Sequence, residues 1–74
     1  ISFNISNQSP VKLIISDLLG REVVTLMDEI KPGGYYTIEW DALNSSGNII
    51  PSGIYVYQLI TNEGILSRKM IFMK

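Results

Sequence analysis

The chain has 74 residues, of which 46% are hydrophobic and 18% charged, and its formal net charge is −1. This composition is too apolar for a disordered chain, its apolar runs are too short for a transmembrane helix, and its charge gives no general field that would attract nucleic acid. The absence of cysteine and histidine excludes disulfides, the usual zinc ligands and the usual activated nucleophiles. We therefore expect one small domain, residues 1–74, held together by packing and strand pairing, with no cofactor and no metal.

The first half of the chain alternates apolar and polar residues at a period of two, which predicts strands rather than helices. Strands are expected at 1–5, at an edge, then at 11–16 and at 22 to about 30. The residues expected to face the core are Ile1, Phe3, Ile5, Val11, Leu13, Ile15, Val24, Leu26 and Ile30. Turn-forming residues at 7–10 and 17–20 separate these strands.

The second half continues the same pattern, with strands expected at 35–40, briefly at 48–50, at 54–61 and at 65–74. Trp40 is the first choice for an anchor of the core, because Tyr36, Ile38 and Trp40 share a face. In the strand at 54–61 both faces are mostly apolar, as in a central strand. About seven antiparallel strands without a helix predict an all-β sandwich or barrel.

Carboxylate pairs are the remaining route to catalysis in this chain. Asp28 and Glu29 are neighbours in a strand and point to opposite faces, which removes them as an acid and base pair. Glu39 and Asp41 could share a face, but so small a domain has little room for a deep cleft. We therefore expect a protein that is not an enzyme.

Two other segments have a functional and a structural interpretation. The polar loop at 41–48 has oxygen donors for calcium, but it lacks the ligand spacing of a calcium loop, so turns closed by side chains are favoured. The exposed member of the pair Tyr35 and Tyr36 could contact carbohydrate or protein, whereas an ordinary cross-strand aromatic pair is the favoured interpretation. Asp17 is expected to cap a turn in which Arg21 is an exposed charge.

The last strand has the strongest functional interpretation. Glu63 is the last acidic residue, and the residues Arg68, Lys69 and Lys74 make the following strand purely basic. Arg68 and Lys69 fall on opposite faces, so they do not form a single patch. Charges on an edge strand also protect sheets from aggregation, so chemistry alone leaves protection and recognition both open.

Four ordered motifs resemble the C-terminal sorting domain of type IX secretion cargo, a small immunoglobulin-like sandwich related to a domain of flagellar hook-capping proteins. In that family a strand ending in aspartate leads to a Leu-Gly-Arg turn and a valine-rich strand, as residues 15–24 do. A Gly-x-Tyr-x-x-x-Trp-Asp stretch is similar to 34–41, and a strand with glycine, then valine or isoleucine, then Tyr-x-Tyr is similar to 53–57. The closing Lys-Met-x-x-x-Lys is similar to 69–74.

The resemblance implies an immunoglobulin-like sandwich that is a non-catalytic address on a larger cargo protein, exported through the periplasm and outer membrane to the cell surface. Its implied partners are the type IX translocon, the sortase and a covalently linked upstream cargo domain. The last two strands, 53–74, would be the recognition surface. The residues implied in translocon recognition are Arg68, Lys69, Met70 and Lys74.

Members of that family usually carry a Pro-Asn-Pro-Phe segment just upstream of the first strand, and the chain starts at Ile1. We expect a fragment of a larger protein, from which this segment was trimmed, or a related sandwich without a sorting role. The alternative function is a structural immunoglobulin-like module, a spacer or a carbohydrate-binding unit, of an extracellular enzyme or adhesin.

Overall fold

A computed structural model describes residues 1–73 as six strands. The strands are β1 (Ser2–Ile5), β2 (Ser9–Asp17), β3 (Glu22–Lys31), β4 (Gly34–Thr37), β5 (Gly53–Thr61) and β6 (Gly64–Phe72). No helix occurs in this part of the chain, and hence none that could cross a membrane. The all-β class expected from the period-two pattern is confirmed.

The strands form two antiparallel sheets. The larger sheet has the order β3-β2-β5-β6, and the smaller one pairs β1 with β4. Side chains of β1 pack against those of β2, β3 and β5 in one hydrophobic cluster, so the two sheets enclose the core in a β-sandwich-like arrangement. We call the face of the larger sheet toward β1 and β4 its inner face, and the opposite one its outer face.

The core lies between the sheets where the sequence pattern is most regular. The largest fully buried side chains are Ile5, Val11, Leu13 and Ile15. In β5, Tyr55 and Leu59 are buried, and their partners in β2 are Asp17 and Leu13. Alternation therefore predicted the buried faces of β1 and β2 correctly, because side chains of a strand alternate between the two faces of its sheet. The central position expected for the strand at 54–61 is confirmed as well, since β5 lies between β2 and β6.

The buried face of β3 differs from the expectation. Leu13 pairs with Met27 while the next residue, Ile14, pairs with Thr25, so Leu26 is an additional residue in a bulge. The bulge reverses which side of the sheet each following residue occupies. Met27 consequently enters the core, and Ile30 is 65% exposed. The expectation that Ile30 is buried is wrong.

The segment after β4 also differs from the expectation. The strand ends at Thr37, before Trp40. The brief strand expected at 48–50 is replaced by a single bridge between Leu43 and Ile49. Six strands are found where about seven were predicted. Trp40 is half-buried rather than central. Its ring still packs edge-on against Tyr55, with centroids 6.1 Å apart, and its Nε1 donates to the Leu43 carbonyl oxygen at 3.0 Å.

The turn between β2 and β3 is organised by one carboxylate. Asp17 Oδ1 accepts hydrogen bonds from the backbone N–H groups of Leu19 (2.9 Å) and Arg21 (3.0 Å), and its Oδ2 accepts one from Arg21 Nε at 2.8 Å. Gly20 has a φ of 85° there, which glycine adopts without strain. The expected capping role of Asp17 is confirmed, and Arg21 is held by it.

These contacts predict a pH dependence of stability. The backbone N–H of Arg21 is the main cause that holds the pKa of Asp17 below its ordinary value. Desolvation opposes this effect, and the Arg21 guanidinium and the N–H of Leu19 add to the lowering. The stabilisation is fully present above the unfolded-state pKa of about 3.9 and is lost as the pH falls through the lower folded-state value. The difference in unfolding free energy between the wild type and Asp17→Asn should therefore shrink on acidification below about pH 4.

Urea titrations from pH 7 down to pH 2 measure this difference. Asp28→Asn removes the same charge from an exposed position of β3 and is the control for net charge. A wild-type advantage over Asp17→Asn that stays constant across the range would contradict the role of the Asp17 carboxylate.

Candidate interaction edge

The larger sheet has two edges, and the first of them, β3, is protected. The register with β2 shifts twice, which leaves Val23 and Leu26 as additional residues. Exposed acidic side chains, Glu22, Asp28 and Glu29, lie along the same strand. Bulges and charged side chains are devices by which sheets prevent another strand from pairing with an edge.

The second edge, β6, is regular and open. All nine residues from Gly64 to Phe72 pair with β5 without a shift, and the strand contains no proline. In this strand only Met70 and Phe72 are half-buried, and the others are exposed. We call this strand, with its unpaired side, the β6 edge.

Cross-strand partners define the two faces of the β6 edge. Lys69 lies opposite Val56 on the outer face, and Arg68 lies opposite Tyr57 on the inner face. The two cations therefore extend to opposite sides of the sheet, as alternation predicts. The outer-face residues of the strand are Ile65, Ser67, Lys69 and Ile71, and the inner-face residues are Leu66, Arg68, Met70 and Phe72.

The residues predicted to take part in recognition have different surroundings. Arg68 and Lys69 are exposed, and neither forms an ion pair with another residue of the described part, 1–73. Met70 is half-buried and packs against the core cluster of Ile15, Ile50 and Tyr55. Lys74 lies outside the described residues. The structure thus offers two cations for contact at the β6 edge, and it uses Met70 for packing.

Sequence reasoning alone treated the last strand as an edge, but it did not show that the ladder of this strand has no bulge. The sequence shows the two cations, but the edge position depends on β5 pairing with β2 on its other side. Whether β6 contains a bulge can be read only from its register with β5, which has no shift. The available signal was the run from Ile65 to Phe72, which has neither proline nor glycine.

The loop at 41–48 uses its oxygen atoms for its own backbone. Asp41 Oδ1 accepts a hydrogen bond from the N–H of Leu43, and Asn44 Oδ1 accepts two, from the N–H groups of Ser46 and Asn48 at 3.0 Å each. Within residues 1–73 no cluster of three acidic, histidine or cysteine side chains could hold a metal ion. The loop thus fits the favoured interpretation as a set of turns closed by side chains.

The two adjacent tyrosines have different roles. Tyr36 stacks on Phe3, its partner in β1, with ring centroids 5.6 Å apart, and its hydroxyl donates to the Pro32 carbonyl oxygen at 2.6 Å. Tyr35 lies opposite Asn4 and is 72% exposed. The cross-strand aromatic pair is therefore Tyr36 with Phe3, and Tyr35 is the member exposed to solvent.

An open groove of about 630 Å³ lies between the β2–β3 turn and the loop at 44–46. Its polar lining is largely bonded within the chain, since Arg21 binds Asp17 and Ser45 Oγ donates to the Val23 carbonyl oxygen at 3.0 Å. The carboxylates of Glu39 and Asp41 do not line it. The groove thus has few polar groups that are available to orient a ligand.

Comparison of the chain with protein-family models, with curated proteins and with solved structures gave no match. The proposals that follow therefore rest on the residues of the β6 edge and on the motifs described above.

Proposed function

We propose that this chain is a non-catalytic sorting domain, a folded address on a larger secreted protein, which the type IX secretion translocon recognises through the β6 edge. The observation that carries the proposal is the contrast between the two edges of the larger sheet. Two bulges interrupt β3, whereas β6 is regular and exposed and carries two cations that form no ion pair within residues 1–73. The ordered motifs that resemble the sorting family support the same role.

An open strand is suited to recognition because its unpaired backbone groups can bond with a strand of a partner. Main-chain hydrogen bonds of this kind provide affinity, and the alternating side chains provide specificity. In the β6 edge the side chains available for specificity include Arg68 on the inner face and Lys69 on the outer face. We further propose that the fold is an immunoglobulin-like sandwich, which is supported by pairings between strands distant in sequence, β1 with β4 and β2 with β5.

Export of a passenger protein tests the proposal. Residues 1–74 are fused to the carboxyl end of a passenger in a host with type IX secretion, with Arg68→Glu and Lys69→Glu as single variants. Reversing a charge at a recognition contact changes both attraction and desolvation. We expect each variant to reduce the exported passenger by at least about tenfold, the ratio that corresponds to about 1.4 kcal/mol.

Lys31→Glu is the control for net charge, because it changes the charge by the same amount at the β3 edge. It also removes the ion pair of Lys31 with Glu29, whose atoms are 3.0 Å apart, so its folding is verified together with that of the other variants. Tryptophan fluorescence of each purified domain, from the single residue Trp40, verifies folding. If the β6 variants and a fusion that lacks residues 68–74 are exported as well as the wild type, the sorting role is wrong. That result would favour the structural accessory module, for which exposed Tyr35 would be the residue to test for carbohydrate binding.

A further inference from the structure

The charges of the β6 edge disfavour pairing with a second copy of itself. The strand covers Gly64–Phe72, so Arg68 is its central residue. Two such strands that pair antiparallel about a twofold axis with full overlap would place Arg68 of one copy opposite Arg68 of the other. Like charges directly opposite each other destabilise a strand pair. The charges of the β6 edge therefore disfavour a symmetric dimer in this fully overlapping register.

Pairing of β6 with the β3 edge of another copy is also disfavoured. The acids of β3, Asp28 and Glu29, would attract the cations of β6. The additional residues Val23 and Leu26 interrupt the β3 ladder, however, and a regular nine-residue partner cannot follow it. The partner that fits a regular, cationic edge is thus a regular, acidic strand from a different protein.

The backbone of β6 presents its free hydrogen-bonding groups at defined positions. Asn62 and Glu63 form a two-residue turn, which makes Thr61 and Gly64 a hydrogen-bonded pair. Along an antiparallel pair without bulges, hydrogen-bonded and non-bonded positions alternate. The residues that turn their N–H and C=O groups to the unpaired side are therefore Ile65, Ser67, Lys69 and Ile71.

We propose that the β6 edge binds an extended acidic segment of a partner protein, which becomes a fifth strand of the larger sheet. Carboxylates of that segment lie opposite Arg68 and Lys69, and apolar β-branched side chains lie opposite Ile65 and Ile71. The latter two are 67% and 73% exposed on the outer face, and a neighbouring strand would cover one flank of each. This inference rests on the proposed recognition role for its biological setting and adds the chemistry of the partner.

A pair of synthetic peptides tests the charge requirement. Thr-Val-Val-Glu-Glu-Thr-Val-Val-Thr, aligned antiparallel to Gly64–Phe72, places its two glutamates opposite Lys69 and Arg68. A peptide with Lys-Lys in place of Glu-Glu is the matched control. In fluorescence anisotropy titrations with the whole 74-residue chain, the acidic peptide should have a Kd at least about tenfold lower than the basic one, as expected when opposite-charge pairs replace like-charge pairs.

A charge exchange verifies that the preference arises at this edge. The double variant Arg68→Glu with Lys69→Glu should bind the basic peptide more tightly than the acidic one, and Lys31→Glu should keep the wild-type preference. Equal affinity of the wild type for both peptides would overturn the proposal. A preference for the acidic peptide that persists in the double variant would overturn it as well.

Hydrogen exchange followed by NMR tests the strand addition on the wild-type chain, so it does not depend on a variant that folds. At saturating acidic peptide, the amides of Ser67 and Lys69 should exchange at least about tenfold more slowly, because an added strand bonds with them. The amide of Arg68 is bonded to β5 already and should change less. Unchanged exchange at Ser67 and Lys69 would overturn strand addition.

The peptide experiments test the acidic-strand inference and the export experiments test the sorting role, so either proposal can be wrong while the other stands. If the peptides do not discriminate but export still depends on Arg68 and Lys69, the acidic-strand inference is wrong and the sorting role stands. If the peptides reverse their preference as expected but export is indifferent to both residues, the edge binds acidic strands and the sorting role is wrong.

Discussion

Replacing Ile15 by alanine is expected to lower the free energy of unfolding by about 3 to 4 kcal/mol, which is a large effect for an aliphatic truncation. Ile15 is fully buried in β2, and it pairs with Val24 of β3 on one side and Tyr57 of β5 on the other. The loss has two parts, the transfer free energy of the deleted carbons and the cavity that a rigid sheet cannot close.

Such a loss is large for a domain of this size. At about 0.05 to 0.15 kcal/mol per residue, 74 residues give a total stability of roughly 4 to 11 kcal/mol. The Ile15→Ala variant should therefore unfold at a much lower urea concentration than the wild type, or be partly unfolded without denaturant. Urea titrations monitored by circular dichroism and by Trp40 fluorescence measure the change.

Ile30→Ala is the matched control, since it deletes the same atoms from an exposed side chain. The sequence pattern predicts that Ile30 is buried, whereas the bulge at Leu26 places it on the outer face opposite Pro10. We expect its truncation to cost less than about 0.5 kcal/mol, as surface substitutions usually do. A cost comparable to that of Ile15→Ala would show that the register of β3 is wrong beyond the bulge.

Replacing Tyr55 by alanine should cost about 3 to 4 kcal/mol and should also change the environment of Trp40. Tyr55 is buried at the start of β5, where its ring meets that of Trp40 edge-on. Its hydroxyl donates to the Pro51 carbonyl oxygen at 2.6 Å. Truncation removes a core aromatic ring, an aromatic pair and a hydrogen bond that ties the preceding loop to the strand.

Two tyrosine variants separate these contributions. Tyr55→Phe keeps the ring and removes the hydroxyl, so it should cost about 1 kcal/mol and leave the emission maximum of Trp40 nearly unchanged. Tyr35→Ala deletes an exposed ring and should cost less than about 0.5 kcal/mol. For Tyr55→Ala we expect a red shift of Trp40 emission even while the domain is folded. A Tyr55→Ala variant as stable as Tyr35→Ala would contradict the assigned core.

Much of the strand content could be predicted because local chemistry decides it. The alternation through 11–16 predicted β2 and its buried face, since a strand places alternate side chains on opposite faces. The two apolar faces of 54–61 predicted β5 as a central strand. The turn at Asp17 and Gly20 followed from the preference of these residues for side-chain caps and positive φ. In each case the residues that form the feature are close together in sequence.

The misjudged elements depend on partners far away in sequence. The bulge at Leu26 arises where β3 pairs with β2, and a bulge anywhere in a strand reverses the faces beyond it. Likewise, Trp40 lies outside β4, because pairing with β1 ends at Thr37. The alternation of apolar and polar residues in one strand does not reveal where its pairing with another strand ends or where a bulge interrupts it.

The same division applies to the candidate site. The sequence by itself determined an all-β chain, the main buried faces of β1 and β2, and the placement of Arg68 and Lys69 on opposite faces of one strand. Only the tertiary structure decided that β6 is an edge of the larger sheet, that its ladder has no bulge, and that its two cations have no ion-pair partner within residues 1–73. The physical reason is that alternation is a property of one strand, whereas an edge is defined by the strands that pair with it and by those that do not.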